Sequence, residues 1–454
     1  MKKDLICDSK KTLLFFLFSF IAGNKLIAQQ NVTKLFEVSL KNNTRIITAQ
    51  SDYETALLLS KNGGDAFAPG IVLSGSGKSK ENYSTSITYK QPIPGGAAFQ
   101  ITGSYDYSLI EMMGTKVETK TPSISFSFNQ NLFPFWVAGQ LEDTAVLSYK
   151  LQAEYYYSQL LYTKQAVVTE LLQNCVGAVT ENNKIRILKN SIGLLQLQEK
   201  ALQELKNSGG SNEARILELE NSRWSYEQEI LSGYSSLSSY IQSIKTLCGE
   251  KLDSIDEEWL SGLIPEGYTS DEFIRVFKLV AEYDKDPYSI SLELKIKLAE
   301  NNIINSKQNG APVLCFSAAV PVDIENKKAD DWTFGVSLDF SPLFSSFIAH
   351  NQKRAELELQ KARIAYSTYL AQKEFIKEQY GNVIAAYEQQ LKELYDLIAK
   401  SEVQLHEISQ QLKKGAITQL DYENEKVRLD NYKLTYDNLR LYKWLYEVLR
   451  EFTF

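Results

Sequence analysis

Residues 412–426 read LKKGAITQLDYENEK, and Gly415 within this stretch interrupts a long helix-forming segment that begins near Phe344. A second helix-forming segment opens after the glycine, at Leu420-Asp421-Tyr422-Glu423-Asn424, and continues to about Arg450. Because glycine readily ends a helix in a tight turn, the stretch predicts a hairpin of two long helices that turns at Gly415.

The same organisation occurs once more in the first half of the chain. A long helix-forming segment, 135–206, breaks at Gly209-Gly210, and a shorter one follows with Leu217-Glu218-Leu219-Glu220-Asn221. In both halves an amphipathic helix and an Ala-Pro pair precede strand-like sequence, which leads into the long helix. The helices are 43–62 and 286–308, and the pairs are Ala68-Pro69 and Ala311-Pro312. The chain therefore uses one unit of short helix, strands, long helix, tight turn and medium helix twice.

The long helices are predicted to pair as coiled coils. Each long segment would span on the order of 100 Å at 1.5 Å per residue, which few globular domains could house. The last helix carries a heptad seam and a second apolar stripe beside it, which is typical of a helix with neighbours on both sides. The seam is Leu420, Asn424, Val427, Asn431, Leu434, Asn438, Leu441, Leu445 and Val448, and the second stripe is Tyr422, Leu429, Tyr432, Tyr436 and Leu439. The seam asparagines weaken the coil but can fix its register.

Six segments are predicted to be β-strands: 71–76, 83–91, 98–110 and 122–133 in the first half, and 313–322 and 332–340 in the second. Several alternate in character, as in FQITGSYDYS at 99–108, which places apolar side chains on one face and polar ones on the other. Walls of membrane β-barrels show this pattern at about ten residues per strand. Because six strands cannot close a barrel, closure in lipid needs several identical chains.

The first half holds more strand-like sequence than the second. Pro69 and Phe133 lie 64 positions apart, whereas Pro312 and Phe344 lie 32 apart. The excess contains a hairpin turn at Pro92-Ile93-Pro94-Gly95-Gly96. Two outcomes are open: the barrel gains two strands per chain, which the length of 98–110 favours, or the excess folds as a loop or small sheet outside the wall.

Composition and charge exclude other classes. The net charge of -7 at pH 7, with no strongly basic face, argues against nucleic-acid binding. We expect no enzyme, cofactor or metal site, because the sequence shows no glycine-rich phosphate loop and no nucleophile and base pair. The two histidines, His350 and His406, lie far apart. Cys175, Cys248 and Cys315 are interpreted as buried small apolar residues and not as a disulfide framework.

Residues 1–28 are predicted to be a cleaved signal peptide, because lysines precede an apolar run at 13–22 that is too short to span a bilayer. Cleavage is expected after Ala28, with Ala22 as the alternative. No later stretch has eighteen apolar residues, so any membrane crossing would have to use a closed β-barrel.

Over 31–454 the sequence resembles the TolC-like outer membrane efflux family. The resemblance is carried by the duplicated organisation, the Ala-Pro entries to the strands, the Leu-Phe entries to the long helices at Leu132-Phe133 and Leu343-Phe344, and the stretch LKKGAITQLDYENEK. It implies a mainly α fold with β, in which duplicated coiled-coil hairpins form a periplasmic α-barrel and the strands contribute to a transmembrane β-barrel shared by a homotrimer. It also implies outer membrane lipid, a periplasmic adaptor protein and an inner-membrane pump as partners.

The resemblance further implies a gate at the periplasmic entrance. Asp421 matches the gate aspartate of the family in the second half, and Glu218 stands in that place in the first. Carboxylates from three chains at a narrow mouth would repel one another and attract cations. The alternative, strongest for Glu218, is a solvated carboxylate favoured by the helix dipole. The hairpin tips expected to dock the adaptor are Gly209, Gly210, Gly415, Ala416, Ile417 and Thr418.

The expected organisation runs from the signal peptide to a second helical hairpin. It comprises 1–28 signal peptide, 29–67 N-terminal helices, 68–133 first β segment, 134–248 first long hairpin, 249–285 equatorial mixed segment, 286–310 helix opening the second repeat, 311–343 second β segment and 344–454 second long hairpin. The expected function is efflux of small molecules or export in a tripartite system. The alternatives are an outer membrane conduit for type I protein secretion and a periplasmic coiled-coil structural protein. The sequence does not separate drug, metal and protein cargo.

Overall fold

The computed structural model describes residues 26–61, 63–79, 82–112, 115–207, 213–249, 260, 286–323, 328–329 and 331–452. Most of the expected signal peptide, the glycines of the first turn and nearly all of the expected equatorial segment lie outside the described residues. The described part is mostly helical with one antiparallel sheet, in agreement with the predicted fold class.

The helices follow the order that the repeat predicts. They are α1 (Leu26–Asn42), α2 (Thr44–Lys61), α3 (Thr144–Asn207), α4 (Glu213–Leu247), α5 (Pro287–Asn309), α6 (Ser346–Lys413) and α7 (Gln419–Phe452). The strands are β1 (Gly70–Ser79), β2 (Asn82–Ile93), β3 (Ala97–Met112), β4 (Thr115–Asn131), β5 (Val313–Asp323), β6 (Lys328–Ala329) and β7 (Thr333–Asp339).

The first long helix begins later than the sequence predicts. Phe135–Ala138 form a 3-10 turn, which ends at Gly139 in the left-handed conformation with φ 77°. The side chain of Asp143 then accepts a hydrogen bond from the backbone N–H of Ala145 at 2.9 Å, so it caps the new helix. Helix α3 therefore starts at Thr144 and not near Phe135.

The excess strand sequence of the first half belongs to the same sheet. The strands pair antiparallel in the order β1-β2-β3-β4-β5, β7 pairs with the other side of β5, and the two-residue β6 pairs with the end of β5. β2 runs alongside β3 over twelve residue pairs, from Asn82↔Ser108 to Ile93↔Ala97. The structure therefore contradicts a separate small sheet or loop and gives six long strands in one sheet.

The turn between β2 and β3 is tied to the start of α3. The backbone N–H of Gly95 donates to Oδ2 of Asp143 at 2.9 Å, and Nε2 of Gln130 donates to the carbonyl of Gly95 at 3.0 Å. Because Asp143 also caps α3, one carboxylate holds both the turn and the helix. The added hairpin is thus fixed to the sheet at its side and to a helix at its turn.

The chain divides into two compact units, each of which takes residues from both repeats. Unit one comprises Met1–Thr48, Leu161–Asp286 and Gln372–Phe454, and unit two comprises Ala49–Leu160 and Pro287–Ala371. The core of unit one includes Val167, Leu171, Val176, Ile244 and Val448, all of which are buried. The core of unit two includes Ala56, Leu160, Leu292 and Ala299.

Helix α7 in unit one has neighbours on both sides, as its two stripes predict. Its seam asparagines meet polar residues of α3: Asn183 donates to Asn438 at 2.8 Å, Asn190 to Asn431 at 3.2 Å, and Gln198 to Asn424 at 3.1 Å. Its other side meets α6 through Tyr436 and Tyr395, Tyr442 and Tyr387, and an ion pair of Lys433 with Glu402 at 2.7 Å. The polar ladder between α3 and α7 gives the seam asparagines defined partners.

Candidate functional site

The tip of the second hairpin is a Schellman turn at Gly415. The N–H of Ala416 donates to the carbonyl of Gln411 at 3.0 Å, and the N–H of Gly415 donates to the carbonyl of Leu412 at 2.9 Å. Gly415 has φ 72°, which an L residue with a side chain rarely adopts. The sequence therefore places a glycine where the turn requires one.

Asp421 forms a capping box with Thr418 at the start of α7. The carboxylate Oδ2 of Asp421 accepts hydrogen bonds from the N–H of Thr418 at 3.0 Å and from its hydroxyl at 2.7 Å, and the N–H of Asp421 donates to that hydroxyl at 3.2 Å. These bonds stabilise the charged form, so the hydroxyl of Thr418, followed by its backbone N–H, lowers the pKa of Asp421. Asp421 is exposed, and its carboxylate is ionised at neutral pH.

Glu218 occupies a different position in its helix. It is the sixth residue of α4, which begins at Glu213, whereas Asp421 is the third residue of α7. The side chain of Glu218 is exposed, and its carbonyl accepts a hydrogen bond from the hydroxyl of Ser222 at 2.9 Å. The first acid of α4 is Glu213, which pairs with Lys206 at 2.8 Å, and this pairing lowers the pKa of Glu213. The two repeats therefore do not present equivalent carboxylates.

The remaining tip residues of the second hairpin lie at the surface. Ala416 and Thr418 are exposed, and Ile417 is half-buried. Gly209 and Gly210, the predicted tip of the first hairpin, lie outside the described residues. The structure thus gives geometry for one of the two predicted tips.

One face of the sheet is mostly apolar and uncovered. Cross-strand pairs such as Ile71↔Tyr89, Tyr89↔Ile101 and Ile101↔Phe126 place their side chains on the same side. The larger aliphatic and phenylalanine side chains of this face include Ile71, Leu73, Ile87, Ile101, Ile124, Phe126, Phe316, Phe334 and Val336. Phe334 is 80%, Leu73 74% and Ile71 71% exposed. An apolar surface of this extent on a folded chain indicates an apolar environment or partner.

The opposite face carries hydroxyl groups that pair across strands. Ser74 and Ser86 lie 2.6 Å apart at their hydroxyls, Thr88 and Thr102 3.1 Å, and Ser104 and Ser123 2.7 Å. The sequence shows the alternation in single strands, but it does not show this ladder, because the ladder depends on register across several strands. We call this surface the hydroxyl face.

Cys315 differs from the prediction that all three cysteines are buried. Cys175 and Cys248 are buried, and burial raises the pKa of both thiols, that of Cys248 to about 11. Cys315 is half-exposed on the hydroxyl face, between Asn129 of β4 and Ser337 of β7. Position 315 falls on this face because β5 alternates its side chains between the two sides of the sheet.

Within the described ranges, no helix has the length and apolar character needed to cross a membrane. No group of three or more histidine, cysteine, aspartate or glutamate side chains in that part of the chain could hold a metal ion.

The fold matches solved structures of outer membrane channels. The outer-membrane channel OprN has a TM-score of 0.61 at 13% identity, covering 93% of this chain and 90% of that one. The outer membrane protein VceC of Vibrio cholerae has a TM-score of 0.61 at 12% identity, with coverage of 93% and 96%, and the CmeC outer membrane channel of Campylobacter jejuni has 0.59 at 14%, with 93% and 86%. No family model and no curated protein matches the sequence. The chain has the fold of the TolC-like outer membrane channels.

Proposed function

We propose that the chain is the protomer of a homotrimeric outer membrane channel for efflux of small molecules or for export. A single observation carries the proposal: in a chain with the fold of outer membrane channels, one sheet is apolar and exposed on one face and lined with hydroxyls on the other. Such a sheet suits a wall between acyl chains and water.

The edges of the sheet support assembly from several copies. Within the described residues, β1 forms one edge and β7 the other. In hydrocarbon each unpaired backbone group costs several kcal/mol, so an open edge is not tolerated in lipid. Pairing of β1 with β7 of a neighbouring copy satisfies both edges and closes the wall.

The same proposal assigns two protein partners to the channel. The helices form a periplasmic tunnel, and the hairpin tips at Gly415, Ala416, Ile417 and Thr418, together with Gly209 and Gly210, dock onto a periplasmic adaptor protein that links the channel to an inner-membrane pump. The sequence resemblance and the match to outer membrane channels support this arrangement.

The first test is the native mass of the protein extracted from membranes. We expect the protein to remain with the outer membrane fraction, to require detergent for extraction and to have the mass of three chains within its micelle. Washing the membranes with high salt and alkali before extraction is the control for peripheral attachment. A monomer released without detergent would contradict the channel.

Asp421 is proposed to set cation preference at the periplasmic entrance, with Glu218 as the second candidate. We expect Asp421→Asn to weaken cation selectivity and block by multivalent cations several-fold, because it removes one charge per chain from a narrow mouth. Asparagine can still accept a hydrogen bond from Thr418, so the turn is retained. The measurement is reversal potential and blocker titration in a planar bilayer.

The matched comparison is Glu218→Gln, which removes a carboxylate placed deeper in its helix. Hydrogen bonds from Thr418 lower the pKa of Asp421, whereas repulsion between three copies at a narrow mouth would raise it. Its contribution to selectivity should therefore be present at pH 7 and be lost as the pH falls through the resulting pKa. If Asp421→Asn leaves selectivity and block unchanged, Asp421 has no role in the gate.

A further inference from the structure

The hydroxyl face is nearly free of charge. Its register forms rows across the sheet. In two adjacent rows the described side chains are Val72, Thr88, Thr102, Ser125, Ala319 and Thr333 in one, and Ser74, Ser86, Ser104 and Ser123 in the other. Among the side chains that the structure describes on this face, the charged ones are Lys90, Asp106 and Asp339. Each stands in a different row, and one is opposite in sign to the other two.

The row of Cys315 is also uncharged. Its members are Pro92, Ala98, Asn129, Cys315 and Ser337. Hydroxyl and amide groups bind water without a fixed charge, so a surface built from them creates little electrostatic potential for a passing solute. Rings of charged side chains, which select ions in many pores, are missing from the described part of these rows.

The added β1–β2 hairpin sets the size of the passage that this face lines. Barrel diameter grows with strand number, and three chains with six long strands each give about eighteen strands, within the range in which porins keep an open aqueous channel. At about 4.8 Å between strands and a tilt of about 40°, such a wall is about 36 Å across between backbones. With four strands per chain it would be about 24 Å across.

We infer that the strand section of the channel is a wide passage lined mostly by hydroxyl groups that admits polar solutes of either charge and sorts them mainly by size. The inference rests on the proposed channel function, which it deepens by assigning the surface that the cargo passes. Strong charge selection by the protein then takes place outside this section.

Cys315 provides a native probe of the passage. We would treat outer membrane vesicles that hold the assembled protein with two methanethiosulfonate reagents, one with a quaternary ammonium group and one with a sulfonate. The rate of labelling at Cys315 is read by mass spectrometry and divided by the rate of each reagent with free 2-mercaptoethanol. We expect both reagents to react, with the corrected rate of the cationic reagent only a few-fold higher, because Asp339, in the row next to that of Cys315, is the nearest described charge.

Two variants control the experiment. Cys315→Ser should abolish labelling, since Cys175 and Cys248 are buried. Ser317→Asp places a second carboxylate on the same face two residues away and should favour the cationic reagent by about tenfold more than in the unaltered protein, which shows that the assay detects charge.

The outcomes separate the inference from the proposed function. Cysteine that reacts only after denaturation, or corrected rates that differ more than tenfold in the unaltered protein, would overturn the inference while leaving the channel intact. A purified trimer that never conducts in a bilayer would overturn the channel and the inference together.

Discussion

Replacing Gly95 with alanine should lower the free energy of unfolding by about 3 kcal/mol, because strain and overpacking act at one position. Gly95 has φ 91°, a left-handed conformation that alanine adopts only at a cost. An added Cβ would lie 2.2 Å from Cζ3 of Trp136, so the indole or the turn must move. Movement of the turn would also weaken the bonds of Gly95 to Asp143 and Gln130. The measurement is the thermal unfolding midpoint of the detergent-solubilised protein.

Substitutions at two other glycines separate the cost of backbone strain from the cost of overpacking. Gly139 has φ 77° with nothing within 4 Å of an added Cβ, so Gly139→Ala should show only the backbone cost, about 1 kcal/mol. Gly103 lies in a strand with open space around it, and Gly103→Ala should change stability by less than about 0.5 kcal/mol. If Gly95→Ala behaves like Gly103→Ala, the turn is not anchored as described.

Removing Trp136 should restore part of the lost stability. In the double variant Gly95→Ala with Trp136→Ala the clash is absent, so the two changes should be less than additive. Full additivity would show that the indole does not limit the turn.

The strands and helices could be predicted from the sequence because their signals are local. Alternation at 99–108 predicts a strand with two unlike faces, and the structure has β3 there. The capping box of Asp421 was also within reach, because Thr418 precedes it by three residues at a helix start. The anchoring of Gly95 by Asp143 could not be predicted, since the two residues lie 48 positions apart and meet only after the sheet has formed.

The candidate site shows the same division between local and distant signals. Gly415 marks its turn in the sequence, whereas the hydroxyl face follows from the pairing of six strands, which no single strand encodes. The half-exposed state of Cys315 has the same origin, because it depends on which side of β5 faces the polar residues of β4 and β7.

Asn438→Ala should destabilise unit one by about 1–3 kcal/mol, because it leaves a buried amide without its partner. Asn183 is buried and donates to Oδ1 of Asn438 at 2.8 Å, and Asn438 donates in turn to the carbonyl of Thr180 at 3.3 Å. A double-mutant cycle with Asn183→Ala should give a coupling energy of about 1 kcal/mol in chemical unfolding. The control is Asn424→Ala. Its partner Gln198 is half-exposed, so this variant should lose less stability, about 0.5 kcal/mol.

Changing both asparagines to leucine should separate stability from register. The pair Asn183→Leu with Asn438→Leu replaces two polar groups by apolar ones in the seam, so stability should be kept or raised. The ladder asparagines of α7, Asn424, Asn431 and Asn438, repeat every seven residues, and a purely apolar seam of that period tolerates a slip that polar pairs oppose. Spin labels on α3 and α7 should therefore show a broader distance distribution in the leucine variant. An unchanged distribution would mean that register is fixed elsewhere, for example by the ion pair of Lys433 with Glu402.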